Sequence, residues 1–105
     1  MLLKKLIIAM MFTMILTAGV AQAGGDAGRG LELAEYCVDC HGDDGRGDED
    51  TPSIAGMDAA KHAKDLADFK SGARPDEEEN MIDSVVDLSE QDMADLAAYF
   101  ATLPE

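Results

Sequence analysis

Five consecutive residues, Cys37-Val38-Asp39-Cys40-His41, constrain this chain more than any other part of it. On a helix, residues three apart are surface neighbours, so the two thiols stand on one side about one turn apart. At that spacing they can add to the two vinyl groups along one edge of a haem. The imidazole of the next residue is then carried over one face of the ring as an axial iron ligand. Cys-x-x-Cys-His is the attachment signal for a c-type haem. A chain so attached must fold around a large flat apolar group, and it gains a core that its own side chains need not supply.

Other chemistries fit the same residues less well. A redox-active dithiol expects the alternating strands and helices of a thioredoxin-like domain, and no strand pattern is visible. A structural zinc site needs four ligands, and Cys37, Cys40, His41 and His62 are awkwardly spaced for one. A disulfide between Cys37 and Cys40 would close too small a loop to stabilise much.

The N-terminus agrees with an exported haem protein. Lys4 and Lys5 form a positive start, Leu6 to Val20 an apolar stretch, and Ala21-Gln22-Ala23 a small-x-small cleavage site. The apolar stretch is short for a membrane span and is interrupted by Thr13, Thr17 and Gly19. Residues 1–23 are therefore read as a secretory signal peptide cleaved after Ala23. Residues 24–105 are read as one domain in the periplasm, with no stable membrane insertion after cleavage. Six bases against 22 acids give that remainder a net charge of −16. Such a balance excludes binding to nucleic acid, whose phosphates it would repel, and docking to anionic lipid. It favours a basic protein partner or adaptation to high salt.

The remainder reads as all-α. A first helix is predicted from about Asp26 to Cys40, with Leu31, Ala34 and Val38 at helical spacing and a stop at Gly42. Asp43 to Ser53, rich in Gly and Asp with Pro52, is loop. Asp58 caps a helix running to Ser71, and Gly72 ends it. Residues 73–80 form an acidic loop, and Met81 to Leu88 reads as partly helical. Ser89, with Asp92 three residues on, makes an imperfect capping box for a last helix that ends before Pro104. That helix carries Met93, Leu96, Ala97 and Phe100 on one face.

A second axial ligand would be Met or His, which leaves Met57, Met81, Met93 and His62. Met93 shares the apolar face of the last helix and reads as core. His62, between Lys61 and Lys64 in mid-helix, reads as a surface or half-buried residue. Met57 is close in sequence to His41. Met81, forty residues beyond His41, leaves enough chain to wrap the ring edge and is the favoured ligand, with Met57 as the alternative. Met81 could also simply fill a gap in the core.

Over residues 24–105 the sequence resembles the small class I bacterial cytochromes c. The resemblance rests on Cys37-Val38-Asp39-Cys40-His41, Gly30 and Leu96-Ala97-Ala98-Tyr99. It also rests on Met81 standing eight residues before Ser89. It implies terminal helices crossing where Gly30 meets Tyr99, one covalent haem c, a Pro52 carbonyl receiving the His41 ring N–H, and Met81 as axial ligand. Pro52-Ser53-Ile54-Ala55-Gly56-Met57-Asp58 and Phe69-Lys70-Ser71-Gly72 are similar to the cytochrome subunit of flavocytochrome c sulfide dehydrogenase. That narrower likeness implies a flavoprotein partner that oxidises sulfide.

The expected function is one-electron transfer, with iron cycling between Fe(II) and Fe(III) under His41 and Met81, at a potential raised by the thioether. With both axial positions filled, no site is open to substrate, so an enzyme is not expected. Electrons would pass at the haem edge beside Cys37 and Cys40. The alternatives are a free-standing carrier without a flavoprotein, and a haem sensor or peroxidase-like protein in which Met81 is displaced. Glu77, Glu78 and Glu79 are a candidate docking face for a basic partner, against the plainer reading of a solvated surface.

Overall fold

The computed structural model describes residues 24–105, and the signal peptide expected at residues 1–23 lies outside the described residues. These contain five helices: α1 (Ala27–Leu33), α2 (Glu35–His41), α3 (Ala59–Ser71), α4 (Asn80–Val85) and α5 (Glu90–Ala101). No strand occurs among the described residues, and the architecture is all-α. α1 packs on α5, which also receives α3, and α3 covers α4.

Local chemistry explains most helix ends. The Asp26 carboxylate accepts the N–H groups of Gly28 and Arg29 at 2.9 and 3.2 Å and starts α1. Asp58 caps α3 through the Lys61 N–H at 3.0 Å, and Gly72, with φ of 81°, ends it. At α5 the capping box is complete. Ser89 Oγ accepts from Asp92 N and the Asp92 carboxylate accepts from Ser89 N, both at 3.0 Å. The shorter aspartate thus does the work that glutamate usually does at this position.

The single first helix expected over Asp26–Cys40 is instead two. Ala34 interrupts it, its N–H turning to the Leu31 carbonyl at 3.3 Å in a tightened turn. Ala34 is buried in the core, and no Gly or Pro in Leu33-Ala34-Glu35 announces the break. The core joins Ala34, Leu66, Val85, Met93, Leu96 and Phe100. The predicted apolar face of the last helix is therefore the face that is buried.

The crossing of α1 and α5 is held by a buried charge. Asp95, 1% exposed, accepts the backbone N–H of Asp26 at 2.7 Å, Arg29 Nη1 at 2.8 Å and Gln91 Nε2 at 2.8 Å. Arg29 also reaches Asp92 at 2.7 Å. The backbones come close enough that a side chain on Gly30 would overlap the Asp95 carbonyl and lie 2.8 Å from Tyr99 Cβ.

Gly30→Ala should therefore destabilise the fold by about 3 kcal/mol, the upper range for overpacking a fitted contact, as read by chemical denaturation. The Asp26 N–H, then Arg29 and Gln91, hold the Asp95 carboxyl below its ordinary range. The Ser89 N–H, then Arg29, does the same for Asp92. A lowered folded-state value contributes stability above the unfolded carboxylate range, and that stability is lost as pH falls through it. Asp95→Asn should lower the melting temperature at neutral pH and flatten the acid side of the stability profile. An unchanged acid side would show that Asp95 does not carry it.

Candidate functional site

α2 presents the attachment residues from one short helix. Cys37 and Cys40 are both unpaired thiols, Cys37 half-buried and Cys40 exposed. Burial pushes the Cys37 thiol above its ordinary range. His41 is the last residue of α2 and is 6% exposed. Its Nδ1 lies 2.8 Å from the Pro52 carbonyl oxygen. A carbonyl can only accept, so Nδ1 carries the proton and the lone pair is on Nε2.

The loop after α2 is what delivers that carbonyl. Gly47 N–H donates to the His41 carbonyl at 2.7 Å. The Asp48 carboxylate then accepts from Asp50 and Thr51 N–H at 2.9 and 3.0 Å, folding the turn that precedes Pro52. Gly47 has φ of 67°, and a Cβ there would overlap the Thr51 carbonyl. Beyond Pro52 the loop returns to Gly45, whose carbonyl accepts from Ile54 and Ala55 N–H at 2.7 and 3.0 Å. It is then tied to α5 by Gly56 N–H on the Phe100 carbonyl at 3.0 Å.

Met81 lies on the first turn of α4, in the stretch expected to be partly helical. Glu79 precedes it with φ of 59°, an unusual conformation for a residue with a side chain. The Asp76 carboxylate accepts the N–H groups of Met81 and Ile82 at 2.7 and 3.2 Å. Asp76 was not legible as a cap, because Glu77, Glu78 and Glu79 separate it from the first helical residue and mimic a plain acidic loop. Met81 is half-buried against the apolar core that Cys37 also touches.

The remaining ligand candidates separate. Met93 is core, 4% exposed. Met57 is half-buried just ahead of the α3 cap. His62 is 4% exposed, which corrects the expected surface or half-buried position. It shares with Leu66 the α3 face turned toward α5, its ring 5.7 Å from that of Phe100. Burial first, then the charges of His41 and Lys61, push the His62 imidazole below its ordinary range, and Asp65 opposes them.

The residues present fit a haem. Two free thiols stand one turn apart, the adjacent imidazole has its tautomer set by Pro52, and half-buried Leu33, Ile54, Phe69 and Met81 flank the core. His62 Nδ1 is buried without a hydrogen-bond partner among the described residues. Among the described residues no three His, Cys, Asp or Glu side chains gather as a metal cluster. Removing the Asp76 cap should cost about 1 kcal/mol. Hydrogen exchange at the Met81 and Ile82 amides of Asp76→Ala should then rise by about fivefold, with the α5 amides unaffected.

Comparison with known proteins gives a consistent set of relatives. The model of the family described as Cytochrome c matches residues 26–104. Cytochrome c4 of Pseudomonas aeruginosa is 40% identical over 101 residues, which are 95% of this chain and 49% of the relative. Cytochrome c-554(547) of Halothiobacillus neapolitanus is 35% identical over 89 residues, 75% of this chain and 98% of the relative. The crystal structure of reduced recombinant cytochrome c4 from Pseudomonas stutzeri is similar with a TM-score of 0.68 and 28% identity. That match covers 78% of this chain and 53% of the other. The chain spans about half the length of the cytochrome c4 relatives.

Proposed function

The chain belongs to the cytochrome c family, and from that premise we propose that it is a periplasmic one-electron carrier with a single haem c. The haem is attached at Cys37 and Cys40, and His41 and Met81 are its axial ligands. The observation that carries this reading is the 2.8 Å hydrogen bond from His41 Nδ1 to the Pro52 carbonyl. It fixes the tautomer that leaves Nε2 free for a metal, orients the ring and raises its basicity. The haem, when bound, supplies an iron that takes up and releases one electron.

The chain's residues do the rest. Cys37 and Cys40 hold one edge of the ring, and the exposure of Cys40 supports electron passage there. Met81, seated by Asp76, supplies a thioether that favours the reduced metal and raises the potential. With two protein ligands, the site carries electrons rather than transforming a substrate. Residues 1–23 act as the export signal. No helix among the described residues is long and apolar enough to cross a membrane.

The partner is a redox protein with a basic face. All six cations of residues 24–105 are already engaged. Arg29, Lys61, Lys64 and Arg74 are in ion pairs. Arg46 is on the Glu105 carbonyl and Lys70 on that of Leu88. The acid surplus, including exposed Glu77, Glu78 and Glu79, thus faces solvent. A flavoprotein that oxidises sulfide is the narrower form of this proposal, supported by the Pro52–Asp58 and Phe69–Gly72 segments. Its test is copurification of a flavoprotein, and recovery of the cytochrome alone overturns it.

Met81→Ala should lose the near-infrared band of a methionine–Fe(III) bond and have a lower potential. Survival of that band would reassign the ligand, with Met57 next in line. Electron transfer to a basic partner should slow as ionic strength rises, because the Debye length shrinks from about 30 Å at 0.01 M to about 8 Å at 0.15 M. A salt-independent rate overturns the acidic docking face.

A further inference from the structure

Beside the haem-attachment helix lies a groove that electron carriage by His41 and Met81 leaves without a task. It has a volume of about 320 Å³ and is lined by Leu31, Ala34, Glu35, Val38, Asp43 and Tyr99. Cys37, Cys40, His41 and Met81 do not line it, so it is separate from the haem site. Its apolar walls are left partly in water. Leu31 is 58% exposed, and Val38 and Tyr99 are half-buried. An occupant with an apolar stem gains by covering them.

Two carboxylates, Glu35 and Asp43, belong to the same lining, and both are exposed. Neither is paired with a cation among the described residues, where every arginine and lysine is held by another aspartate or a backbone carbonyl. A purely apolar occupant would bury these charges uncompensated, and an anion would be repelled. A second copy of this chain would bring a net charge of −16 against an equal one. The groove therefore asks for an apolar stem with a positive end, which is the build of lysine and arginine side chains. Arginine fits better. Its guanidinium stacks on aromatic rings, as Tyr99 allows, and its fork of donors can serve two carboxylates.

We infer that the groove seats an arginine of the basic redox partner, its stem on Leu31 and Val38 and its guanidinium at Tyr99, Glu35 and Asp43. The inference rests on the proposed transfer of electrons to such a partner and names where that partner is gripped. Glu35 and Val38 stand on the same short helix as Cys37 and Cys40. An arginine held there keeps the partner beside the edge at which electrons pass. Arginine anchors in pockets carry much of the binding energy at protein interfaces. The acid surplus elsewhere speeds encounter, and the groove fixes orientation.

Titration of the reduced, haem-loaded, nitrogen-15 labelled protein with tetra-arginine amide at low salt tests this, with tetra-lysine amide as the comparison. Amide shifts should concentrate at Leu31, Glu35, Val38, Asp43 and Tyr99, and the arginine peptide should bind more tightly. The double variant Glu35→Gln with Asp43→Asn should bind it about tenfold more weakly, the worth of one charge-assisted hydrogen bond. The triple variant Glu77→Gln, Glu78→Gln and Glu79→Gln removes more charge away from the groove and should lose much less. Shifts spread over the acidic surface, equal affinity for the two peptides, or a triple variant as weak as the double one overturns the inference. So does movement of the same amides with protein concentration alone, which assigns the groove to a second copy. All of these leave the haem spectrum and the methionine–Fe(III) band untouched, so the groove can fail while electron carriage stands.

Discussion

A carboxylate buried in the middle of α5 sets the geometry of this fold. Asp95 is removed from water, so its charge must be met inside the protein. The Asp26 N–H, Arg29 and Gln91 meet it, and two of these three lie at the start of α1. Removing one of those partners leaves the charge less well compensated and destabilises the crossing. Gly30 lets the two helices close to the distance at which those bonds form. Once α1 is fixed on α5, α2 follows it directly in the chain. The two cysteines and His41 are then placed relative to the core.

The two axial-ligand candidates are each held by a backbone-level contact rather than by packing alone. On one side the loop between α2 and Ala55 doubles back so that the Pro52 carbonyl faces His41 Nδ1. On the other, the Asp76 carboxylate takes the first free N–H groups of α4 and anchors the turn that bears Met81. Groups held in this way need little rearrangement when the metal changes charge, which suits electron transfer. A covalently attached haem would also add apolar volume to a chain near the size at which side chains alone suffice.

The same economy of cations shapes the surface. With six bases committed to local pairs and carbonyls, acids dominate what a partner meets. Exposed ion pairs such as Lys61–Asp65 and Lys64–Asp68 add little stability on a helix. Their larger consequence is electrostatic, since they leave no exposed cationic patch among the described residues to attract an anionic surface. The proposed attraction to a basic partner would act at long range and weaken with salt.

Features legible in the sequence were those whose geometry is local. Cys37, Cys40 and His41 lie within two helical turns, so helical spacing alone brought them together. Asp58, Gly72 and Ser89 mark helix ends because each satisfies its own neighbouring backbone groups. The apolar face of the last helix followed from periodicity, and Gly30 against Tyr99 from the family resemblance. The break at Ala34, the burial of Asp95 and His62, and the reach of Asp76 to Met81 were not legible in the same way. Each depends on a partner distant in sequence or on the direction in which a helix is turned. The sequence by itself determined an all-α chain with one haem-attachment motif, because those signals repeat every turn. Only the tertiary structure decided which charge is buried, which carboxylate seats the turn bearing Met81 and which imidazole is left unpaired, because burial is a property of packed elements and not of residues.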